Sequence, residues 1–86
     1  MNINDLIAIV KKKLINEIKI EKIEVEDKSF LHKNHSGYQE GKFHLKLKIN
    51  SKELKDLNRI ESNKKIYKIL DKEIKNSIHS LQILIS

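Results

Sequence analysis

Four histidines and no cysteine set the metal chemistry that this chain of 86 residues can offer. His32 and His35 lie three positions apart in a polar segment, and His44 and His79 each lie near the start of a β-rich run. Neutral imidazole is the commonest nitrogen ligand for metals in proteins, and it titrates near physiological pH. These four side chains are therefore the first candidates for binding a metal or cofactor.

The absence of cysteine limits which metal chemistry the chain can perform alone. Without thiols there is no disulfide framework, no zinc–thiolate site and no thiol nucleophile. Iron–sulfur chemistry would need thiolates from a partner, with nitrogen or oxygen ligands from this chain. A zinc site built from His32, His35 and His44 is conceivable, although their spacing matches no strong zinc signature. A nucleophile motif, a phosphate-binding loop and a His-Glu-x-x-His pairing are also missing, so catalysis is not indicated.

The net charge of +6 and the isoelectric point of about 9.6 suggest another class of function, nucleic-acid binding. Lysines would provide salt-dependent phosphate contacts without reading a base sequence. Against this, Gly37 and Gly41 have one residue more between them than the Gly-x-x-Gly clamp of KH domains, and only Tyr38 offers a stacking ring nearby. A bias toward Ile, Lys and Asn accounts for much of the positive charge without any function.

Apolar periodicity predicts a helix early in the chain and a second long helix in its later half. Asn4 is the expected N-cap of the first helix, whose apolar positions recur every three or four residues. These positions are Leu6, Ile7, Val10, Leu14 and Ile18. Ser51 or Asn50 is expected to cap a short turn through Leu54, and the second long helix follows it. Its apolar stripe consists of Ile60, Ile66, Tyr67, Leu70 and Ile74.

Period-two alternation predicts three strands. The apolar positions of the first two are Ile23, Val25, Phe43, Leu45, Leu47 and Ile49. If these strands pair antiparallel, Glu24 and Glu26 face Lys46 and Lys48 across the sheet. Residues 27–42 between them are too long for a tight hairpin, so we expect an extended mobile loop there. A weaker alternation over residues 77–85 predicts the last strand.

The order αββααβ predicts an α+β fold in which helices cover one face of a three-stranded sheet. With 86 residues, the chain is expected to form one domain over residues 1–86. No apolar run approaches the roughly 20 residues that cross a bilayer, and no signal-peptide pattern occurs at the beginning. We therefore expect a cytoplasmic protein, or an organellar one if a targeting segment has been removed.

Four segments together resemble the BolA-like family in order and spacing. They are Asp27-Lys-Ser29-Phe-Leu-His32-Lys-Asn-His35, Gly41-Lys-Phe-His44-Leu-Lys-Leu-Lys-Ile-Asn-Ser51, Lys65-Ile-Tyr67-Lys-Ile-Leu70 and Ile78-His79-Ser-Leu81. The likeness covers nearly the whole chain. All four histidines fall on positions where family members can carry histidine.

The resemblance implies a fold similar to class II KH domains and a partnership with monothiol glutaredoxins in iron–sulfur cluster and iron handling. In such complexes a 2Fe-2S cluster is shared between thiolates of the glutaredoxin and its glutathione and two ligands of the BolA-like protein. By position those ligands are His32 and His79, with His35 as the alternative in the same segment. Imidazole ligands in place of thiolates would also raise the cluster potential. We expect no cofactor in the isolated chain, which would be a monomer alone and a heterodimer with its partner.

Spacing alone favours other interpretations of the strand histidines. His44 shares the outward parity of the lysines beside it, which favours an exposed or hydrogen-bonded residue that supports the structure or a neighbouring ligand. His79 shares the parity of Leu81 and Ile83, so it would lie on the apolar face as a hydrogen-bonded core residue. Only the resemblance favours a ligand role for His79.

The chain departs from the family pattern where the second long helix begins. Family members usually have an Arg-His-Arg triplet where this chain has Ser62-Asn63-Lys64. That triplet belongs to the region proposed to contact DNA, so its replacement weakens a nucleic-acid role more than cluster ligation. Lys64, Lys65 and Lys68 keep positive charge there and form the expected surface for a partner or a nucleic acid. The resemblance thus predicts a noncatalytic glutaredoxin adaptor, with a KH-like transcriptional regulator that binds nucleic acid as the alternative.

Overall fold

The computed structural model of the chain describes residues 2–28 and 42–86. In chain order its elements are α1 (Ile3–Glu17), β1 (Lys22–Asp27), β2 (Phe43–Asn50), α2 (Lys52–Lys55), α3 (Arg59–Ile69), α4 (Asp71–Asn76) and β3 (Ile78–Ile85). The predicted α+β fold is confirmed, with the second long helix divided into α3 and α4. In these two ranges no helix is both long enough and apolar enough to cross a membrane.

The sheet has the strand order β1-β2-β3 and is mixed. β1 pairs antiparallel with β2, and Glu24 lies opposite Lys48 while Glu26 lies opposite Lys46, as the charge pattern predicts. The Glu26 carboxylate also lies 3.4 Å from the Lys48 ammonium on the diagonal. β3 runs parallel to β2, so the chain must cross over between them, and α2, α3 and α4 form that crossover.

The core lies between one face of the sheet and the helices. β2 is the central strand, and its alternate residues Leu45, Leu47 and Ile49 are buried. The helices bury their own apolar residues against this face, namely Leu6, Val10, Leu14, Leu54, Ile66 and Leu70. The remaining buried apolar side chains are Ile18 and Ile78. The apolar residues spaced by two in the strands and by three or four in the helices thus pack into a single apolar layer.

The structure corrects one predicted helix cap and selects between two others. Asn2, not Asn4, caps α1, because the Asn2 side-chain oxygen accepts a hydrogen bond from the Asp5 N–H at 2.8 Å. Asn2 has extended backbone, whereas Asn4 already lies inside the helix. Ser51 caps α2 by accepting from the Leu54 N–H at 3.2 Å, and its hydroxyl donates to the Lys19 carbonyl at 2.8 Å. Asn50 is the last residue of β2.

The predicted stripe of the second long helix was wrong at two positions. The chain leaves helical geometry at Leu70, and Ile60 and Tyr67 are 67% and 43% exposed. Ile66 and Leu70 are buried as predicted, and the polar residues Ser62 and Glu73 are buried with them. Small polar residues and polar residues with a hydrogen-bond partner can be buried in a helix face, and a search for apolar residues alone does not find them.

A buried ion pair joins α1 to α4. Glu73 is 5% exposed, and both of its carboxylate oxygens accept from the Lys13 ammonium, at 2.9 and 2.7 Å. Two short charge-assisted bonds to one carboxylate compensate for its removal from water. This pair fixes the helix that leads into β3.

Candidate functional site

Two of the four histidines lie within the part of the chain that the structure describes. His44 is the second residue of β2, and His79 is the second residue of β3. The predicted ligands His32 and His35 lie outside the described residues. The structure therefore addresses the surroundings of His79 and His44, and the ligand assignments stay predictions.

His79 occupies an irregularity in the parallel pairing of β2 with β3. Phe43 lies opposite Ile78, but the next residue, His44, lies opposite Ser80, so His79 is an extra residue on β3. An extra residue of this kind disrupts the ladder locally and redirects its side chain, and such bulges recur next to functional sites. His79 is exposed as a result.

The bulge overturns the placement of His79 that parity predicts. Simple alternation puts His79 on the face of Leu81, which lies opposite the buried Leu45. The observed His79 ring instead contacts the His44 ring on the other face, with ring centroids 4.7 Å apart and planes inclined at 63°. An exposed imidazole at the edge of the sheet can approach an external metal, which a core histidine cannot.

His44 is buried between β2 and β3 instead of pointing into solvent like a typical outward strand residue. It is only 7% exposed, and its Nδ1 lies 2.6 Å from the Ser80 hydroxyl oxygen. Its ring meets that of His79 edge to face, an arrangement favourable for aromatic rings. His44 therefore contacts both Ser80 and His79, and it is placed to support the ring of His79.

Removing the Ser80 hydroxyl should loosen this arrangement. We expect Ser80→Ala to lower the free energy of unfolding by about 1 kcal/mol, because the His44 ring loses a short, partly buried hydrogen bond. Urea denaturation measures this change. Ser86→Ala is the matched control, because Ser86 is exposed and hydrogen-bonds to Ser51 and Ile49 through its backbone. Equal stabilities of the two variants would show that the Ser80 hydroxyl does not hold His44.

His79 is the more exposed of the two histidines that the structure describes. Across residues 2–28 and 42–86, no group of three or more His, Asp or Glu residues is arranged to hold a metal ion. His79 offers an exposed imidazole, and a lone imidazole suits a metal whose other ligands come from elsewhere. The zinc site predicted from His32, His35 and His44 includes two residues outside the described ranges, so it stays a prediction.

One lysine of the predicted surface forms a salt bridge within the chain. Lys64 and Lys68 are exposed on α3, but the Lys65 ammonium lies 2.9 Å from the Glu53 carboxylate. Lys65 and Lys68 border an open groove of about 590 Å³ between α1 and α3, together with Lys13, Asn16, Glu17 and Ile69. Because Lys13 is held by Glu73, two of the three lysines in this groove are already paired. Sequence analysis missed Glu53 and Glu73, since their partners are distant in sequence.

Glu53 makes the stability of this region dependent on pH. The hydrogen bond from Lys65, assisted by the Lys19 backbone N–H, outweighs partial burial and lowers the pKa of Glu53 below its ordinary value of 4.5. A carboxylate with a lowered pKa stabilises the fold above its unfolded pKa, and this contribution disappears as pH falls through the folded pKa.

We therefore expect Glu53→Gln to melt at a lower temperature than wild type at pH 6, with the difference vanishing as the pH falls below about 4.5. Thermal melts over this pH range, followed by far-ultraviolet circular dichroism, measure the two curves. The exposed Glu61→Gln serves as the control, for which a smaller effect is expected. A constant difference between Glu53→Gln and wild type at every pH would contradict a role for Glu53 ionisation.

Comparison with known proteins identifies relatives for both sequence and fold. Residues 14–86 match the family described as BolA-like protein. The chain is 28% identical over 75 residues to the DNA-binding transcriptional regulator BolA of Haemophilus influenzae, covering 87% of this chain and 70% of that protein.

Two solved structures from Arabidopsis thaliana have the same fold. The BolA domain of SufE1 superposes with a TM-score of 0.79 at 26% identity, covering 100% of this chain and 93% of that one. BolA1 superposes with a TM-score of 0.76 at 25% identity, covering 93% and 88% of the respective chains. Both likenesses extend over almost the entire fold, including the sheet that carries His44 and His79.

Proposed function

This chain belongs to the BolA-like protein family, and on that premise we propose that it is a noncatalytic adaptor that binds a monothiol glutaredoxin. In the proposed complex His32 and His79 bind one iron of a shared 2Fe-2S cluster, and thiolates of the glutaredoxin and its glutathione complete the coordination. When bound, such a cluster supplies one-electron redox chemistry or transferable iron and sulfide. The role lies in iron–sulfur cluster trafficking or iron regulation.

The observation that carries this proposal is the exposed His79 imidazole at the bulge of β3. The bulge removes His79 from the apolar face, and the buried His44 ring lies against it. A ligand whose side chain is already held by a buried neighbour loses less conformational entropy when it binds a metal. Among the described histidines, His79 therefore fits an iron that approaches from a partner.

The path of the chain supports pairing His79 with a ligand in the segment after β1. The Lys28 N–H donates to the His44 carbonyl at 2.7 Å, so this segment begins beside the strand that contacts His79. Four residues of extended chain span at most about 14 Å. His32 is four residues beyond Lys28 in the sequence, which is short enough to permit its pairing with His79 in the proposed complex.

Size-exclusion chromatography with absorbance detection tests the proposed function. A glutathione-bound 2Fe-2S monothiol glutaredoxin is mixed with this chain, and we expect a one-to-one complex that retains visible cluster absorbance. The control uses cluster-free glutaredoxin, which should bind less tightly because it lacks the metal bridge. Separate elution of this chain from the loaded glutaredoxin, at micromolar concentrations of both, would refute the adaptor role.

Nucleic-acid binding is the second candidate, because the Haemophilus influenzae relative is named a DNA-binding transcriptional regulator. The net charge of +6 and the exposed Lys64 and Lys68 favour contacts to phosphate. Fluorescence anisotropy with duplex DNA at two salt concentrations distinguishes this candidate. Tight, salt-dependent binding that weakens in a Lys64→Gln/Lys68→Gln variant would favour it over the adaptor role.

A further inference from the structure

The two edges of the sheet differ in the charge that they present. β1 contains Lys22, Glu24, Glu26 and Asp27, and charged residues on an edge strand discourage pairing with other chains. β3 forms the opposite edge, and its eight residues Ile-His-Ser-Leu-Gln-Ile-Leu-Ile include no Lys, Arg, Asp, Glu or Pro. An uncharged edge strand leaves unpaired backbone N–H and C=O groups available to another extended segment.

A groove runs between this edge and α3. Arg59, Asn63 and Tyr67 follow one another at intervals of four on one side of the helix, and residues 81–84 of β3 form the other wall of a cavity of about 340 Å³. The Tyr67 hydroxyl donates to the Leu81 carbonyl at 3.5 Å, so this carbonyl is turned toward the groove. Tyr67 is 43% exposed, and the half-buried Ile83 lines the same cavity, which gives the groove apolar surface.

The charge of the groove has one sign. Arg59 also borders an adjoining cavity of about 450 Å³, which Lys55 lines as well, and no carboxylate lines either cavity within the described ranges. Arg59 is the single arginine in a chain with 17 lysines. A guanidinium presents a planar fork of donors that matches a carboxylate, whereas an ammonium does not. The groove therefore favours an acidic occupant.

We propose that this groove binds an extended acidic segment of a partner protein, which adds to β3 as a fourth strand. Backbone hydrogen bonds to β3 would provide affinity, and side chains that alternate along the segment would provide specificity. Its apolar residues pack against Tyr67 and Ile83, and a carboxylate on the same face of the segment binds Arg59. This inference rests on the groove and not on the proposed cluster ligands.

A second copy of this chain suits the groove less well than an acidic segment. β3 of a second copy has no carboxylate to offer Arg59, and on its β1 edge Glu24 and Glu26 already lie beside Lys22 and Lys48. Pairing two copies through β3 would also bring two cationic grooves together. Charge complementarity thus selects a heterologous segment.

The test uses the full chain labelled with ¹⁵N and, as the probe, the acetylated, amidated peptide Glu-Thr-Val-Thr-Val, whose glutamate and valines share one face of an extended strand. We expect chemical-shift changes concentrated in β3 amides and in the Arg59 side-chain N–H. Arg59→Gln should weaken binding by about tenfold or more, since it removes a charge-assisted pair. Lys72→Gln removes an equal charge from an exposed position on α4 and should leave binding unchanged. The same peptide with glutamine in place of glutamate should bind the wild-type chain as weakly as Arg59→Gln binds the original peptide.

Three results would overturn the proposal. They are shifts that avoid β3, equal affinity of Arg59→Gln and Lys72→Gln, and concentration-dependent dimer formation through β3 in sedimentation without any peptide. The spectrum of each free variant verifies its fold, and Arg59 is an exposed first residue of α3. Because His79→Ala should bind the peptide like wild type, failure of this proposal and failure of cluster ligation are separable.

Discussion

Replacing His79 with alanine is expected to abolish the change in visible circular dichroism when this chain is titrated into a glutathione-bound 2Fe-2S glutaredoxin. Loss of a group that merely supports a metal ligand costs about 10–100-fold in affinity, so loss of a ligand should cost at least about 100-fold. His79 is exposed, and its replacement should lower the free energy of unfolding by no more than about 1 kcal/mol, because it removes only the edge-to-face contact with His44.

Gln82→Ala provides the matched control for His79→Ala. Gln82 is also an exposed residue of β3, and it is three positions further along the strand. We expect its titration to reproduce the wild-type spectrum. A wild-type spectrum from His79→Ala as well would remove His79 from the site, whatever the affinity of the two proteins for each other.

The same titration chooses between the two histidines of the segment after β1. His32→Ala should lose the new spectrum as completely as His79→Ala, while His35→Ala should retain it. The reverse pattern would assign the second ligand to His35 and leave the role of His79 unchanged. Retention of the spectrum in both variants and in the double variant would exclude a histidine ligand from this segment.

Replacing Lys13 with methionine is expected to be the most destabilising change among the polar residues. The Lys13 side chain is 38% exposed and that of Glu73 only 6%, so removal of the lysine leaves a carboxylate buried without its ammonium. We expect a loss of about 2 kcal/mol, below the range for fully buried ion pairs, because the Lys13 side chain is partly open to water. This is a large part of the roughly 5–15 kcal/mol that stabilises a typical domain.

Replacing Glu73, alone or together with Lys13, tests why Lys13→Met loses stability. Glu73→Gln should cost less than Lys13→Met, because the Lys13 ammonium can keep its contact with water. The variant Lys13→Met/Glu73→Met should recover much of the lost stability, since no charge is then left buried. Urea denaturation measures all three, with the exposed Lys12→Met as control. A loss in Lys13→Met no greater than in Lys12→Met would contradict the buried pair.

The Lys13–Glu73 pair also connects stability to the site. α4 ends at Asn76, and the next residue, Ser77, accepts a hydrogen bond from the Phe43 N–H at 2.9 Å through its carbonyl. β3 and its bulge begin immediately afterwards. The ion pair thus holds the crossover in place just before the chain reaches His79.

The central part of the fold could be predicted from the sequence because its signals are local and repeated. The alternation of Leu45, Leu47 and Ile49 with polar residues identifies β2 and its buried face. Opposite charges on Glu24 and Lys48 also indicated the antiparallel neighbour. Such a pattern depends on several residues, so a single residue that departs from it does not hide the strand.

The features around the site depend on contacts that local patterns do not encode. The bulge at His79 arises from the pairing of β3 with β2, two strands separated by the whole helical crossover. Similarly, Glu73 could be recognised as buried only with knowledge of Lys13, 60 positions away. The family resemblance assigned His79 a function, whereas alternation alone assigned it to the wrong face.

Pulsed electron paramagnetic resonance of the reduced complex tests the central claim most directly. The cluster-loaded glutaredoxin is left unlabelled, and this chain is produced with ¹⁵N only in its histidines. We predict a hyperfine coupling from ¹⁵N, because in the proposed complex an imidazole of this chain binds the reducible iron. We predict that this coupling is lost in His79→Ala. A paramagnetic cluster in a stable complex without any ¹⁵N coupling would contradict histidine ligation by this chain.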